Sequence, residues 1–143
     1  MRRFTYIFMG LIVLACSLQS CSNEDNNTIS DSPQKEITSI NIEKKWIVTH
    51  FSFTEDCKAN DRDQYQKSAL EITLKANNYT AVDNYSQKEY QGNFKLEGNI
   101  ISLVEKNSEE VRKFKIVELV GNEMRVEALN NKNILEIELV SFR

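Results

Sequence analysis

The feature that most constrains this chain is a period of two, repeated along its length. Between Lys45 and Phe142, short runs alternate apolar and polar side chains, and turns bearing Asn or Gly part them. Alternation sends successive side chains to opposite faces of an extended strand. Ala69–Lys75 (ALEITLK) puts Leu70, Ile72 and Leu74 on one face, Glu123–Leu129 (EMRVEAL) puts Met124, Val126 and Ala128 there, and Ile134–Phe142 (ILEIELVSF) puts Leu135, Ile137 and Leu139 there. Lys45–Phe53, Tyr79–Asp83, Glu89–Leu96, Ile100–Glu105 and Val111–Val120 complete a set of about eight strands. In Glu89–Leu96, Gly92 shares a face with Tyr90, Phe94 and Leu96, and a glycine there signals a bend or a close backbone approach. Asn77-Asn78, Glu97-Gly98-Asn99, Gly121-Asn122 and Asn130–Asn133 supply turns. Thr54–Gln66 is polar and unpatterned, a long loop with room for one helical turn.

Strands joined by short links, with no helical crossover between them, pair antiparallel as a meander. Eight such strands with one apolar face close into a barrel, which removes the exposed edges; a flattened sandwich is the alternative. The expected fold is therefore all-β, a single antiparallel eight-stranded meander barrel over residues 37–143. Closure pairs the first strand with the last, so Trp46 is expected near the Leu135–Leu139 strand, as an anchor of the core. A stretch of 107 residues (37–143) can bury roughly two thirds of the surface its unfolded chain exposes.

The N-terminus carries a different kind of signal. Arg2 and Arg3 precede an apolar run from Phe4 to Ala15, too short to span a bilayer comfortably. Leu18-Gln19-Ser20-Cys21 follows and resembles the lipobox of bacterial lipoproteins. That resemblance implies a signal peptide over 1–20, cleavage before Cys21, and acylation of the Cys21 thiol. At about 0.8 kcal/mol per buried methylene, two or three acyl chains hold a protein firmly on a membrane. Val13-Leu14-Ala15-Cys16 is a competing lipobox, but cleavage there would truncate the apolar run. Residues 21–36 read as an acylated cysteine and a flexible tether, since 22–36 hold no aromatic residue and a single Ile. Ser22–Asn27 (SNEDNN) resembles the acidic signal of surface-exposed lipoproteins and equally suits a solvated linker. The expected location is the outer membrane, lipid-anchored, with periplasmic and cell-surface facing both open.

The barrel segment resembles the lipocalin-like domains of small Gram-negative lipoproteins. The landmarks run in order: Trp46 on the first strand, Asp56-Cys57-Lys58-Ala59-Asn60, Leu74–Thr80 (LKANNYT), Gln91-Gly92-Asn93-Phe94, and Phe114-Lys115-Ile116 with Leu119. Lys44 stands where that family has a glycine two residues before Trp46, Asn78 replaces its turn glycine, and its second cysteine is absent. The resemblance implies a barrel fold and transfers no binding residue.

Charge and composition narrow the function. Residues 1–20 hold two of the 18 basic and none of the 21 acidic residues, so the chain from Cys21 onward carries −5 instead of −3. That disfavours nucleic acid, which needs basic patches. Cys57 is left without a cysteine partner once Cys16 is cleaved off and Cys21 acylated. His50 is the only histidine, too few for a His-based metal site or a recognisable catalytic triad. Glu55, Asp56, Asp61 and Asp63 crowd one loop, but the glycine and closing glutamate of a calcium loop are missing. No catalytic residue, metal or cofactor is expected. Trp46, Tyr79, Tyr90 and Phe94 read first as barrel core. An eight-stranded barrel either fills itself or holds one small ligand; in the second case these aromatics line the site, with Met124 as an adaptable wall. Two functions follow: a small apolar ligand in the lumen, or a filled barrel that docks a protein or glycan through its loops. Tyr65, Tyr85 and Tyr90 are the aromatics for the second.

Overall fold

The computed structural model of the chain describes residues 35–142; the expected signal peptide 1–20, Cys21 and most of the expected 21–36 tether lie outside the described residues. The elements run α1 (Ser39–Ile42), β1 (Lys45–Phe53), α2 (Ala59–Lys67), β2 (Leu70–Lys75), β3 (Asn78–Asp83), β4 (Lys88–Glu97), β5 (Ile100–Glu105), β6 (Val111–Val120), β7 (Glu123–Ala128) and β8 (Ile134–Val140). Each strand pairs antiparallel with the next, and β1 pairs with β8, so the sheet is a closed eight-stranded meander barrel.

The links alternate in character from one end of the barrel to the other. The β2–β3, β4–β5 and β6–β7 turns each span two residues and share an end with α1 and the C-terminus. Positive φ at Ala76, Asn77, Gly98 and Gly121 builds them, in keeping with tight hairpins that match strand twist. The left-handed pair of the first turn is Ala76-Asn77, one residue earlier than the Asn77-Asn78 signal suggests. At the other end lie residues 54–69, 84–87, 106–110 and 129–133.

α1 closes the tight-turn end. Ile42 and Trp46 are both fully buried, and the Trp46 indole N–H donates to the Ile42 carbonyl at 2.8 Å. The Lys44 ammonium sits 4.4 Å from the Trp46 ring centroid. The Lys35 amide donates to the Leu119 carbonyl at 2.6 Å, so the chain enters the barrel at this end.

Three bulges decide which side chains face in. An extra residue at Thr49, between the Val48–Leu139 and His50–Glu138 pairs, resets the parity of β1. Trp46 and Val48 face inward before it, Phe51 and Phe53 after it, and His50 is left exposed opposite Glu138. A second bulge puts Ile134 and Glu136 against consecutive residues Phe53 and Ser52. It turns Ile134 inward and expels Leu135, which is 50% exposed; the inward placement expected for Leu135 is corrected by this register shift, while Ile137 and Leu139 are buried as the alternation predicts. The third leaves Val117 unpaired between Ile116 and Glu118.

The polar stretch after β1 also departs from expectation. In place of a loop with one helical turn it holds α2, a nine-residue helix. No apolar period marks it, because Tyr65 is its one residue packed on the core, against Phe51 and Phe53 at centroid distances of 5.5 and 5.9 Å, while Arg62 lies 5.8 Å from the Phe53 ring centroid. Asp61 in its first turn and Lys67 in its last complement the helix dipole, and Asp63 pairs with Lys67 one turn on.

Gly92 marks a close approach. A Cβ there would lie 2.0 Å from the Val104 carbonyl oxygen and 2.8 Å from the Tyr79 ring. Only a residue without a side chain lets β4 and β5 close at this point under the Tyr79 ring.

Candidate functional site

The inner face is almost wholly aliphatic and aromatic. Trp46, Leu74, Tyr79, Phe94, Ile101, Ile116, Leu119, Met124, Val126, Ile134, Ile137 and Leu139 are all buried in one cluster. Packing leaves a half-open cavity of about 50 Å³ within it, walled by Trp46, Ile72, Leu74, Ile101, Leu103, Phe114, Met124, Val126, Ile137 and Leu139. A water needs roughly 10–15 Å³ by this measure, so the space takes a few water-sized groups. With no polar group in the wall and the Trp46 N–H already bonded to Ile42, it offers water nothing and favours an apolar occupant.

The wall residues that keep some exposure are Ile72, Leu103 and Phe114. Other inward residues toward the long-loop end are also only half-buried, among them Phe53, Leu70, Tyr90 and Ala128. The lumen is thus sealed at the α1 end and loosely covered at the α2 end.

A polar fringe borders the cavity on the inner face. Leu74 pairs with Tyr79, Tyr79 with Gly92, and Gly92 with Glu105, while Phe94 pairs with Leu103 and Leu103 with Arg112. Glu105 and Arg112 therefore follow on the same rows beyond the cavity wall, at the mouth, where their side chains are 34% and 49% exposed. Their ion pair is one long contact of 3.7 Å between Arg112 Nη2 and Glu105 Oε2. Burial first, then the Glu105 carboxylate, raises the Tyr79 hydroxyl above the usual phenol range, with Arg112 opposing. Tyr79 is therefore a neutral O–H donor.

The α2 end is held by hydrogen bonds as well as by the packing of Tyr65. Arg62 donates to the Cys57 and Thr54 carbonyls at 3.0 Å each. The Thr54 amide donates to the Asn133 carbonyl at 3.0 Å, joining this loop to the β7–β8 turn. Cys57 is buried beneath it and is the free cysteine among the described residues. Asp61 accepts from Asn133 at 3.4 Å and Asp63 from Lys67. Among the described residues no group of three or more His, Cys, Asp or Glu is arranged to hold a metal.

Of the five residues singled out from sequence, Trp46 and Met124 both wall the cavity. Tyr79, Tyr90 and Phe94 do not wall it: Tyr79 lies over Gly92, Phe94 is packed in the core, and Tyr90 is half-buried beside Ala81. The rest of the wall is aliphatic apart from Phe114, and much of it was already marked by alternation. Glu105 and Arg112 fall within the expected strands Ile100–Glu105 and Val111–Val120 but carried no site signal, because a charged residue near a strand end is ordinary at the surface. Comparison with family models, with curated proteins and with solved structures finds no match to this chain.

Proposed function

We propose that the protein is a membrane-anchored binding module of the lipocalin-like lipoprotein kind. In this reading Cys21 is acylated after export, the acyl chains sit in the outer membrane, and the barrel receives the apolar end of a small molecule. The observation that carries it is the half-open, wholly apolar cavity whose wall includes Trp46 and Met124. The lipobox and the positive n-region before it support the anchor. The ordered landmarks from Trp46 to Leu119 support the kinship. The role is one of binding; it assigns no catalytic residue.

Volume limits the occupant. Sites for drug-sized ligands run to about 300–1,000 Å³, far above the 50 Å³ here. The cavity suits an alkyl end of a few carbons and excludes a whole lipid. Trp46 is the only tryptophan, so its emission reports the cavity directly. Hexanol is expected to shift that emission saturably in the wild-type protein and not in Met124→Phe, which fills the space. A flat titration of the wild type overturns the reading. The anchor has its own test: labelling with a fatty-acid analogue is expected to vanish in Cys21→Ser, and loss in Cys16→Ser instead would move the anchor.

The same small volume favours a second reading, a filled barrel that docks a protein or glycan through its long loops. Tyr85, 64% exposed in the β3–β4 loop, is its best-placed aromatic. A flat hexanol titration would leave this reading standing.

A further inference from the structure

The edge of the cavity carries a charge that the apolar walls do not explain. Arg112 is on the inward row of β6, two residues before the wall residue Phe114 and opposite the wall residue Leu103. Its guanidinium has five N–H donors, and its one partner among the described residues is Glu105, at 3.7 Å. Tyr79, 96% buried by its residual 4% exposure, has a hydroxyl that no protein group hydrogen-bonds among the described residues. No fully buried side-chain oxygen lacks a partner there, so this hydroxyl is reached by solvent. Gly92 leaves the space in which the Tyr79 ring lies, on the row that ends in Glu105.

We infer that Arg112 and the Tyr79 hydroxyl take the carboxylate of a short-chain monocarboxylic acid whose alkyl end occupies the cavity. The inference rests on the binding reading above and names the chemical class of its ligand. Guanidinium and phenol are both donors, and together they match a carboxylate's two acceptor oxygens. The Arg112–Glu105 pair is single, long and part-exposed, the kind that contributes little, so a ligand carboxylate displaces Glu105 at small cost. Glu105 stays nearby, and its charge opposes the incoming anion. A cavity with room for a few water-sized groups sets the chain at a few carbons beyond the head.

Titration of the acylated protein in detergent micelles, read by Trp46 emission, tests this with three probes of equal chain length: hexanoate, hexanol and hexylamine. Hexanoate is expected to bind tightest. Arg112→Gln should weaken hexanoate by about tenfold or more, as loss of a charged hydrogen bond implies, and leave hexanol unchanged. Glu105→Gln should tighten hexanoate severalfold, because it removes the competing negative charge on Arg112 and the repulsion of the ligand carboxylate. A purely structural ion pair would make the two variants behave alike, and that result overturns the inference. Hexanol binding as well as hexanoate in the wild type also overturns it, while leaving the apolar cavity as a binding site. No response to any probe removes both the inference and the reading beneath it.

Discussion

The two ends of the barrel are built from the same strands and differ in nearly everything else. At the α1 end the turns are two residues long, the plug residue Ile42 and the first-strand Trp46 are fully buried, and their contact includes a hydrogen bond. At the α2 end the links are longer, the inward side chains Phe53, Leu70, Tyr90, Leu103, Phe114 and Ala128 are half-buried, and the covering helix touches the barrel mainly through Tyr65. Tight turns fix register and spend few residues, so the strands can pack to native density at that end. Longer links need not pack at all, and regions with few buried apolar contacts open more readily than the core. The difference separates two tasks: one end holds the fold together, and the other leaves its apolar interior within reach.

The largest test of this contrast is Trp46→Ala. Truncating a buried tryptophan typically costs about 3–5 kcal/mol, and a domain of this size holds about 5–15 kcal/mol in all. Urea denaturation is expected to find the variant near the threshold of folding. A loss under about 1 kcal/mol would mean that the α1 end is not where stability resides.

Gly92→Ala comes next. Its methyl would meet the Val104 carbonyl oxygen at 2.0 Å, and backbone cannot step aside as a flexible side chain can. The expected cost is about 3 kcal/mol, at the top of the range for overpacking, together with a disturbed environment for Tyr79 in near-ultraviolet circular dichroism.

Phe53→Ala probes the looser end. Phe53 is half-buried against Phe51 and Tyr65, so it should lose about 1–2 kcal/mol, less than a full aromatic burial. Amide exchange should quicken across α2 before it changes at the α1 plug. Uniform quickening would show that the two ends unfold together.

The smallest effect concerns pH. The Ser86 hydroxyl first, then the backbone N–H groups of Ala69 and Tyr85, hold the Asp83 carboxyl below the usual aspartate range. A carboxyl depressed in the folded state adds stability above its ordinary pKa and loses it as pH falls through the folded value. Acidification should therefore loosen the Ala69 and Tyr85 amides, which donate to Asp83 at 2.9 and 3.1 Å. Asp83→Asn should abolish that local pH dependence and leave the midpoint of global unfolding nearly unmoved.

Alternation by itself marked the eight strands, because period two leaves only one face of each strand to bury, and the short links between them implied the meander; closure was favoured over a flattened sandwich, and the β1–β8 pairing decides it. Alternation also placed Ile72, Leu74, Met124, Val126, Ile137 and Leu139 inward, and it marked Gly92 as a point of close approach. Three further things waited for the tertiary structure. The bulges at Thr49 and Leu135 come from fitting β1 against β8, and they alone decide that Phe51 and Ile134 face in while His50 and Leu135 face out. α2 forms from a polar stretch without apolar period, because Tyr65 laid on Phe51 and Phe53 and the Arg62 hydrogen bonds to the Cys57 and Thr54 carbonyls seat it together. The size of the cavity and the inward rows of Arg112 and Glu105 depend on how eight strands meet around an axis. Local pattern encodes which side of a strand is apolar; the volume left between strands, and which polar side chains border it, follow only from their mutual packing and register.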